Sequence, residues 1–433
     1  MTSSNGYVVK RHLKTLRIAS FAAWLLTLIL LYVSSLLPLF DSSPDVVLQR
    51  TTLRERLAYP LLRWDAFHFV HIAQEGYVYE HEWAFLHGIA AAMKYPARLL
   101  RILGLTETTT GSFSTSDLLL SGALLSCLCG STTTLYRLTL HHFGSPSVAY
   151  LAALLSLLPS SPVTLRFSVY NEPFFTYLSY KGMLSCATQD LVAATVFFTG
   201  AASLRSNGFM LSGFIVWKSI VEPILAGKRL SIHQISLVGV STGLIFGPFA
   251  LHQYSAYKAF CLHDSQDFPW CSATLPSVYG YVQAKYWNIG FLRYWSLAQL
   301  PNILLAAPIL LSVLSFSYVH FRSCIVPALL RHPVISTSPP TILLRAISKP
   351  GESVFLTNSI TPHVIYAFVM CCILLFAAHT QIALRLAASM PTTYWAAAWL
   401  MVDYPRLGKW WVIWSVVWGT ISVVLFSVFL PPA

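Results

Sequence analysis

The sequence predicts an all-α membrane protein that crosses the bilayer many times, and three observations carry that reading. Of 433 residues, 55% are hydrophobic and 10% charged, against about 25% charged in soluble domains. Mean hydropathy is +0.61. The apolar residues are also gathered into spans. Ile18 to Phe40 and Trp410 to Ala433 carry no charge, and about 20 apolar residues suffice to cross the hydrocarbon core. The third observation is where the charge sits. The net +12 lies mostly in short connections between spans, which is the pattern of membrane topology. No Lys/Arg run interleaved with aromatics is present, so nucleic acid is not expected as a partner.

The elements follow in order. Lys10, Arg11, Lys14 and Arg17 precede the first span. The apolar stretch after them is too long for a signal-peptide core, so 1–17 reads as a cytosolic N-terminus and 18–40 as a signal-anchor helix. Residues 41–116 form a loop on the luminal side. Helices near 117–140, 148–162, 173–187, 191–204, 208–226 and 232–252 fill 117–252. A second luminal loop covers 253–295. Helices near 296–318, 362–384, 389–403 and 410–430 occupy 296–433, interrupted by a basic cytosolic loop near 319–361. Neighbouring helices can fuse or re-enter, so the bundle is expected to hold about 9–11 transmembrane helices. The positive-inside rule agrees at Lys228, Arg229, Arg322, Arg331, Arg345, Lys349, Arg406 and Lys409, with Asp190 as an exception. Arg205, Lys258, Lys285, Arg293 and Arg385 fall on the other side, so the agreement is imperfect. The apolar C-terminus resembles a lipid-anchor signal, but among so many spans an ordinary last helix is the plainer reading. There is no Asn-x-Ser/Thr sequon and no internal repeat.

Eight cysteines are present. Cys127, Cys129, Cys186, Cys371 and Cys372 lie in or near apolar spans and read as packing residues. Cys261 and Cys271 flank a polar loop with His263, Asp264, Asp267 and Trp270, where a luminal disulfide is plausible. No Cys-x-x-Cys pair occurs, and zinc is not expected.

Only 16 acids are available, so each can be weighed. Asp65, in Arg63-Trp64-Asp65-Ala66-Phe67-His68-Phe69, precedes a short interfacial helix that carries His71 and ends at Gly76, with Phe67, Val70 and Ile72 near the membrane. Taken alone, Asp65 reads most plainly as the cap of that helix. It also suits a general base, because sugar transfer from an activated phosphate donor requires the acceptor hydroxyl to lose its proton. Glu80, His81, Glu82 and Trp83 form either a charged turn or a polar wall for sugars, with Trp83 stacking on a hexose. Glu172, ahead of Pro173, is a favourable helix-start charge or a second active-site acid. Arg205, near Asn207, is a snorkelling cation or a grip on phosphate. Arg293, and His379 with Arg385, carry the same ambiguity. Tyr286, Trp287 and Trp295 are belt aromatics or sugar platforms.

These motifs match a family. The chain resembles the PIG-V type GPI mannosyltransferases, within the GT-C glycosyltransferases. The resemblance rests on Arg63-Trp64-Asp65-Ala66-Phe67-His68-Phe69, Ile72-Ala73-Gln74-Glu75-Gly76-Tyr77 and Tyr79-Glu80-His81-Glu82-Trp83-Ala84-Phe85. It continues through Asn171-Glu172-Pro173-Phe174, Arg205-Ser206-Asn207-Gly208 and Gln283-Ala284-Lys285-Tyr286-Trp287-Asn288-Ile289-Gly290-Phe291-Leu292-Arg293-Tyr294. Pro301-Asn302-Ile303-Leu304 and His379-Thr380-Gln381 complete it. The run Leu86-His87-Gly88-Ile89 departs from the usual pattern, which leaves the shape of that loop open.

The resemblance implies a GT-C helical bundle in the endoplasmic reticulum membrane with a luminal active site and interfacial helices in the first loop. It implies transfer of mannose from dolichyl-phosphate mannose to a GPI precursor lipid already bearing one mannose. The reaction inverts at the anomeric carbon, makes an α1,6 linkage, and uses no metal or other cofactor. Asp65 maps onto the expected base and Glu172 onto a second luminal acid. Arg63, Trp64, His68, His71, Glu80, His81, Glu82, Trp83, Asn207, Trp287 and His379 are expected to line the substrates, and Arg205, Arg293 or Arg385 to face the donor phosphate. A small membrane partner subunit is also implied. The rivals are a related GT-C enzyme with another acceptor, and a lipid transporter or scramblase. The latter calls for ionisable residues along a mid-helix path, whereas the acids here cluster in loops.

Overall fold

The computed structural model describes residues 3–104, 113–167, 169–262, 268–327 and 353–431. Among them every element is helical and no strand occurs. His263, Asp264 and Asp267, and most of the basic loop with Arg331, Arg345, Lys349 and Glu352, lie outside the described residues.

The chain opens with α1 (Ser3–Ser34). The first loop is itself largely helical: α2 (Leu53–Ala58), α3 (Ala66–Glu75) and α4 (Gly88–Ile102). A capping box fixes the start of α2, where Thr52 accepts from the Glu55 amide and Glu55 reaches back to the Thr52 amide. Gly76 ends α3 at φ +84°, its N–H donating to the Ile72 carbonyl, a backbone state that glycine adopts without strain. α3 does not lie on the lipid as the sequence suggested. Val70 and Ile72 are buried in the main core together with Phe69, because the surrounding loop helices cover that face.

The bundle then runs α5 (Thr115–Cys127), α6 (Ser131–Phe143), α7 (Pro146–Leu155), α8 (Pro162–Arg166), α9 (Glu172–Ala187) and α10 (Leu191–Ala202). The single helix expected at 117–140 is broken at 128–130, with Gly130 at the restart. The span Ser206–Leu225 mixes 3₁₀, α and π turns. It leads to α11 (Ile232–Cys261), which runs well past the predicted end at 252. After α12 (Val278–Trp287) come α13 (Leu300–His320), α14 (Thr361–Phe376), α15 (Ala383–Leu386), α16 (Pro391–Asp403) and α17 (Pro405–Ser427). The helix expected to reach 384 stops at Phe376. His379 and Arg385 sit on the short re-entering stretch that follows.

Seven helical stretches among the described residues are long and apolar enough to cross a membrane. Pro146–Leu155 and Leu191–Ala202 are apolar but short. α16 has 13 residues, ten of them buried, and packs inside the bundle. The chain is therefore a multi-pass membrane protein. Asp190, the exception to the charge rule, accepts from the Ala193 amide and caps α10, so a local bond accounts for it.

The connections sort to two ends. At one end Arg63 donates to the Ser427 carbonyl, Phe40 N–H to Val428, Ser160 to Leu384, and Leu292 N–H to Phe376. At the other, His142 pairs with His363, Ser359 donates to the His142 carbonyl and His320 meets Thr361.

Candidate active site

Four charged side chains from separate parts of the chain meet at the first end. Asp65 stands at the start of α3, Glu172 at the start of α9, Arg205 in the turn after α10, and Arg385 on α15. Nη1 of Arg385 donates to Oδ2 of Asp65 at 3.0 Å, and its Nε donates to Oε1 of Glu172 at 2.9 Å. Nη1 of Arg205 donates to the same Glu172 oxygen at 2.7 Å. Two carboxylates and two guanidiniums balance, which is how buried charge becomes tolerable. Their exposures differ: 2% for the Glu172 side chain against 31% for Asp65. Glu172 is thus a buried counter-ion, while Asp65 faces outward.

In the structure Asp65 does not act as a side-chain cap. It occupies the N-cap position of α3 but makes no side-chain capping bond. Its carboxylate spends one oxygen on Arg385 and keeps Oδ1 free of hydrogen bonds among the described residues. A free lone pair beside a fixed cation suits proton acceptance. Tyr170 supports the arrangement from beneath. Its ring lies 4.7 Å from the Arg385 guanidinium carbon and its hydroxyl donates to the Arg63 carbonyl at 3.0 Å. The sequence reading passed over Tyr170, although it adjoins Asn171-Glu172.

A cleft of about 330 Å³ runs along α3, lined in part by Phe67, His68, His71, Gln74, Tyr79 and His81. His68 stacks on Phe85 and meets His81 edge-on at 5.1 Å. Burial, followed by the neighbouring His81, holds the His68 ring below its usual basicity, against the opposing pull of Asp65 and Glu82. His71 pairs with Glu82, whose other oxygen accepts from the Val78 and Tyr79 amides at 2.8 and 2.9 Å. Tyr79 and His81 stack in parallel at 5.7 Å.

Several expected substrate contacts turn out to be braces. Arg63 is fully buried and donates to the Tyr59, Leu62 and Ser427 carbonyls, so it holds the loop rather than a substrate. Trp83 is 6% exposed and stacked on Tyr77 at 4.4 Å, which leaves no face for a hexose. Glu80 accepts from Lys285 at 2.7 Å, Tyr286 at 2.9 Å and Trp270 at 3.3 Å, tying the first loop to the second. That contact, first among its causes, holds the Lys285 ammonium above its usual range. A disulfide joins Cys261 and Cys271 beside this brace. His379 hydrogen-bonds the Trp287 carbonyl at 2.7 Å and stacks on Tyr294. Trp295 donates to the Leu375 carbonyl at 2.5 Å. Asn207 has its Nδ2 buried close to the Tyr366 hydroxyl. Arg293 is exposed and makes no ion pair among the described residues, so it does not join the four-charge cluster. Trp64, at φ +52°, packs 5.1 Å from Phe429. Among the described residues no group of three or more His, Cys, Asp or Glu is placed to hold a metal.

The family model for mannosyltransferase (PIG-V) matches residues 14–433. Among curated proteins, GPI mannosyltransferase 2 of Cryptococcus neoformans var. neoformans serotype D (strain B-3501A) is 32% identical over 427 residues, covering 92% of this chain and 93% of its own length. GPI alpha-1,6-mannosyltransferase 2 of Rattus norvegicus is 32% identical over 399 residues, 81% of this chain and 75% of its own. The Homo sapiens protein of that name is 32% identical over 406 residues, with shares of 82% and 76%. No solved structure matches.

Proposed function

Because the chain belongs to the PIG-V family of mannosyltransferases, we propose that it adds the second mannose, in α1,6 linkage, to a GPI precursor lipid. The donor in this reading is dolichyl-phosphate mannose and the site faces the lumen of the endoplasmic reticulum. The observation that carries it is the Asp65–Arg385–Glu172–Arg205 cluster at one membrane end, with Asp65 its outward member.

The acceptor mannose 6-hydroxyl approaches the free Oδ1 of Asp65. Its oxygen attacks the anomeric carbon of the donor mannose as Asp65 takes the proton. The new C–O bond forms, the bond from that carbon to the phosphate oxygen breaks, and dolichyl phosphate leaves with the electron pair. One carboxylate suffices because phosphate needs no protonation to depart, unlike the leaving group in glycoside hydrolysis. Arg385 and Arg205 supply positive charge where negative charge develops on the phosphate. Glu172, the second acid, aims both guanidiniums. His68 and His71, along the cleft, offer ring nitrogens to sugar hydroxyls. The reading assigns charge neutralisation to guanidiniums and calls for no metal.

The test is purified protein with both lipids, a radiolabelled donor and analysis of the product linkage, with and without EDTA. Asp65→Asn is expected to lower turnover by at least a hundredfold, consistent with loss of a general base, and EDTA to change nothing. Unchanged turnover in Asp65→Asn would remove Asp65 from the mechanism. An α1,6 product on another acceptor would favour the related GT-C reading, and absence of any transfer the transporter reading.

A further inference from the structure

A cavity of about 440 Å³ opens between α1, the break at 128–130 and the end of α8. Its wall combines Arg17 and Ser20 of α1, Ser131, Thr132 and Thr133 of the first turn of α6, and Arg166 of α8. No acid lines it. Arg166 is spent on structure, donating to the Ala23 and Leu157 carbonyls and to Thr27. Arg17 is exposed and, among the described residues, makes no ion pair or hydrogen bond. The Ser20 hydroxyl is shut from solvent and has no hydrogen-bond partner among the described residues. Gly130 gives the first turn of α6 no side-chain cap, so its amide donors face the break unsatisfied by side chains.

Polar groups gathered in a cavity between membrane helices commonly mark a ligand site, and Arg17, at the start of the first span, offers that cavity a cation that no acid compensates among the described residues. Broken helices turn the positive end of the restarting half toward an anion. The mouth is apolar: Phe21, Leu124 and Leu128 line it and are strongly exposed. A ligand that fits carries an anionic head and a hydrocarbon tail. The volume is in the range of small-ligand sites.

We propose that this cavity binds the phosphate headgroup of a membrane lipid, with Arg17 and the α6 amides on the phosphate and the lipid tail along Phe21 and Leu128. The site lies outside the Asp65 cluster and uses none of its residues.

The experiment measures binding to the purified full chain in uncharged detergent, using dioctanoyl phosphatidic acid, dioctanoyl phosphatidylcholine and inorganic phosphate. Saturable binding of the phosphatidic acid is expected, with phosphatidylcholine and inorganic phosphate at least tenfold weaker. Arg17→Gln should weaken it about tenfold or more. Ser131→Leu should abolish it by filling the cavity. Both variants are to be compared at matched thermal unfolding; because Arg17 is exposed, Arg17→Gln keeps the test valid if Ser131→Leu fails to fold. Inorganic phosphate binding as tightly as the lipid would overturn the lipid assignment. Lack of saturable binding, or wild-type affinity in Arg17→Gln, would overturn the site.

Discussion

At the scale of single residues, the cluster makes two demands that differ in kind. Glu172 is 2% exposed and its Oε1 serves two guanidiniums. Glu172→Gln leaves both cations in place without their shared counter-charge. Removing one member of a buried ion network typically costs about 3–5 kcal/mol. A marked drop in the thermal unfolding temperature of the purified protein is expected, together with lost transfer. A variant with unchanged unfolding would show that the cluster is hydrated. His68 makes a pH-dependent contribution. Its ordinary value is about 6.5, and burial, then His81, hold the folded ring below it. The unfolded chain therefore takes the proton more readily. The stability contributed by the neutral ring is complete above about pH 6.5 and is lost as pH falls through the window beneath it. Thermal unfolding of wild type should fall more steeply below pH 6.5 than that of His68→Gln, and parallel curves would remove His68 as the source.

At the scale of elements, the site is held by close backbone approaches. Gly88 starts α4 and its N–H donates to the Ser203 carbonyl at 2.9 Å. A Cβ at Gly88 would fall 2.5 Å from that same oxygen. Ser203 lies two residues before Arg205, so Gly88→Ala pushes on the turn that presents a cluster cation. Overpacking of this kind costs about 1–3 kcal/mol, and reduced unfolding temperature with reduced transfer is expected. Gly213→Ala is the control, because nothing lies within 4 Å of its added Cβ; equal losses in the two would refute the contact argument. Gly88 also shows what sequence could not convey. The Leu86-His87-Gly88-Ile89 run stood out only as a departure, since the partner that requires glycine lies 115 residues away. The charge of Asp65, Glu172, Arg205 and Arg385 was legible because charges are scarce here and each stands out in a loop. Which of them met was not, because meeting depends on where α14 stops and α15 turns back. Arg63 and Trp83 were misjudged for a related reason. Motif membership does not distinguish a side chain facing a substrate from one bracing the loop.

At the scale of the whole molecule, the connections alternate between two ends, and this decides where chemistry can occur. The start of α3, the start of α9, the turn after α10, the stretch after α14 and the end of α17 share one end, as the Asp65, Glu172, Arg385 and Arg63 bonds require. Lys228 and Arg229 follow the span Ser206–Leu225, one crossing away from Arg205, and so lie at the opposite end. Positive charge in short connections favours the cytosolic side, so the proposed luminal orientation of the Asp65 end predicts that Lys228 and Arg229 face the cytosol. Ser43 is exposed in the first loop and Lys228 in its connection. In a background whose free cysteines are replaced, with the Cys261–Cys271 pair kept, Lys228→Cys should react with an impermeant maleimide on sealed microsomes. Ser43→Cys should react only after the membrane is permeabilised. Labelling of Ser43→Cys in sealed vesicles would put the Asp65 cluster on the cytosolic face, and a donor presented in the lumen could not reach it.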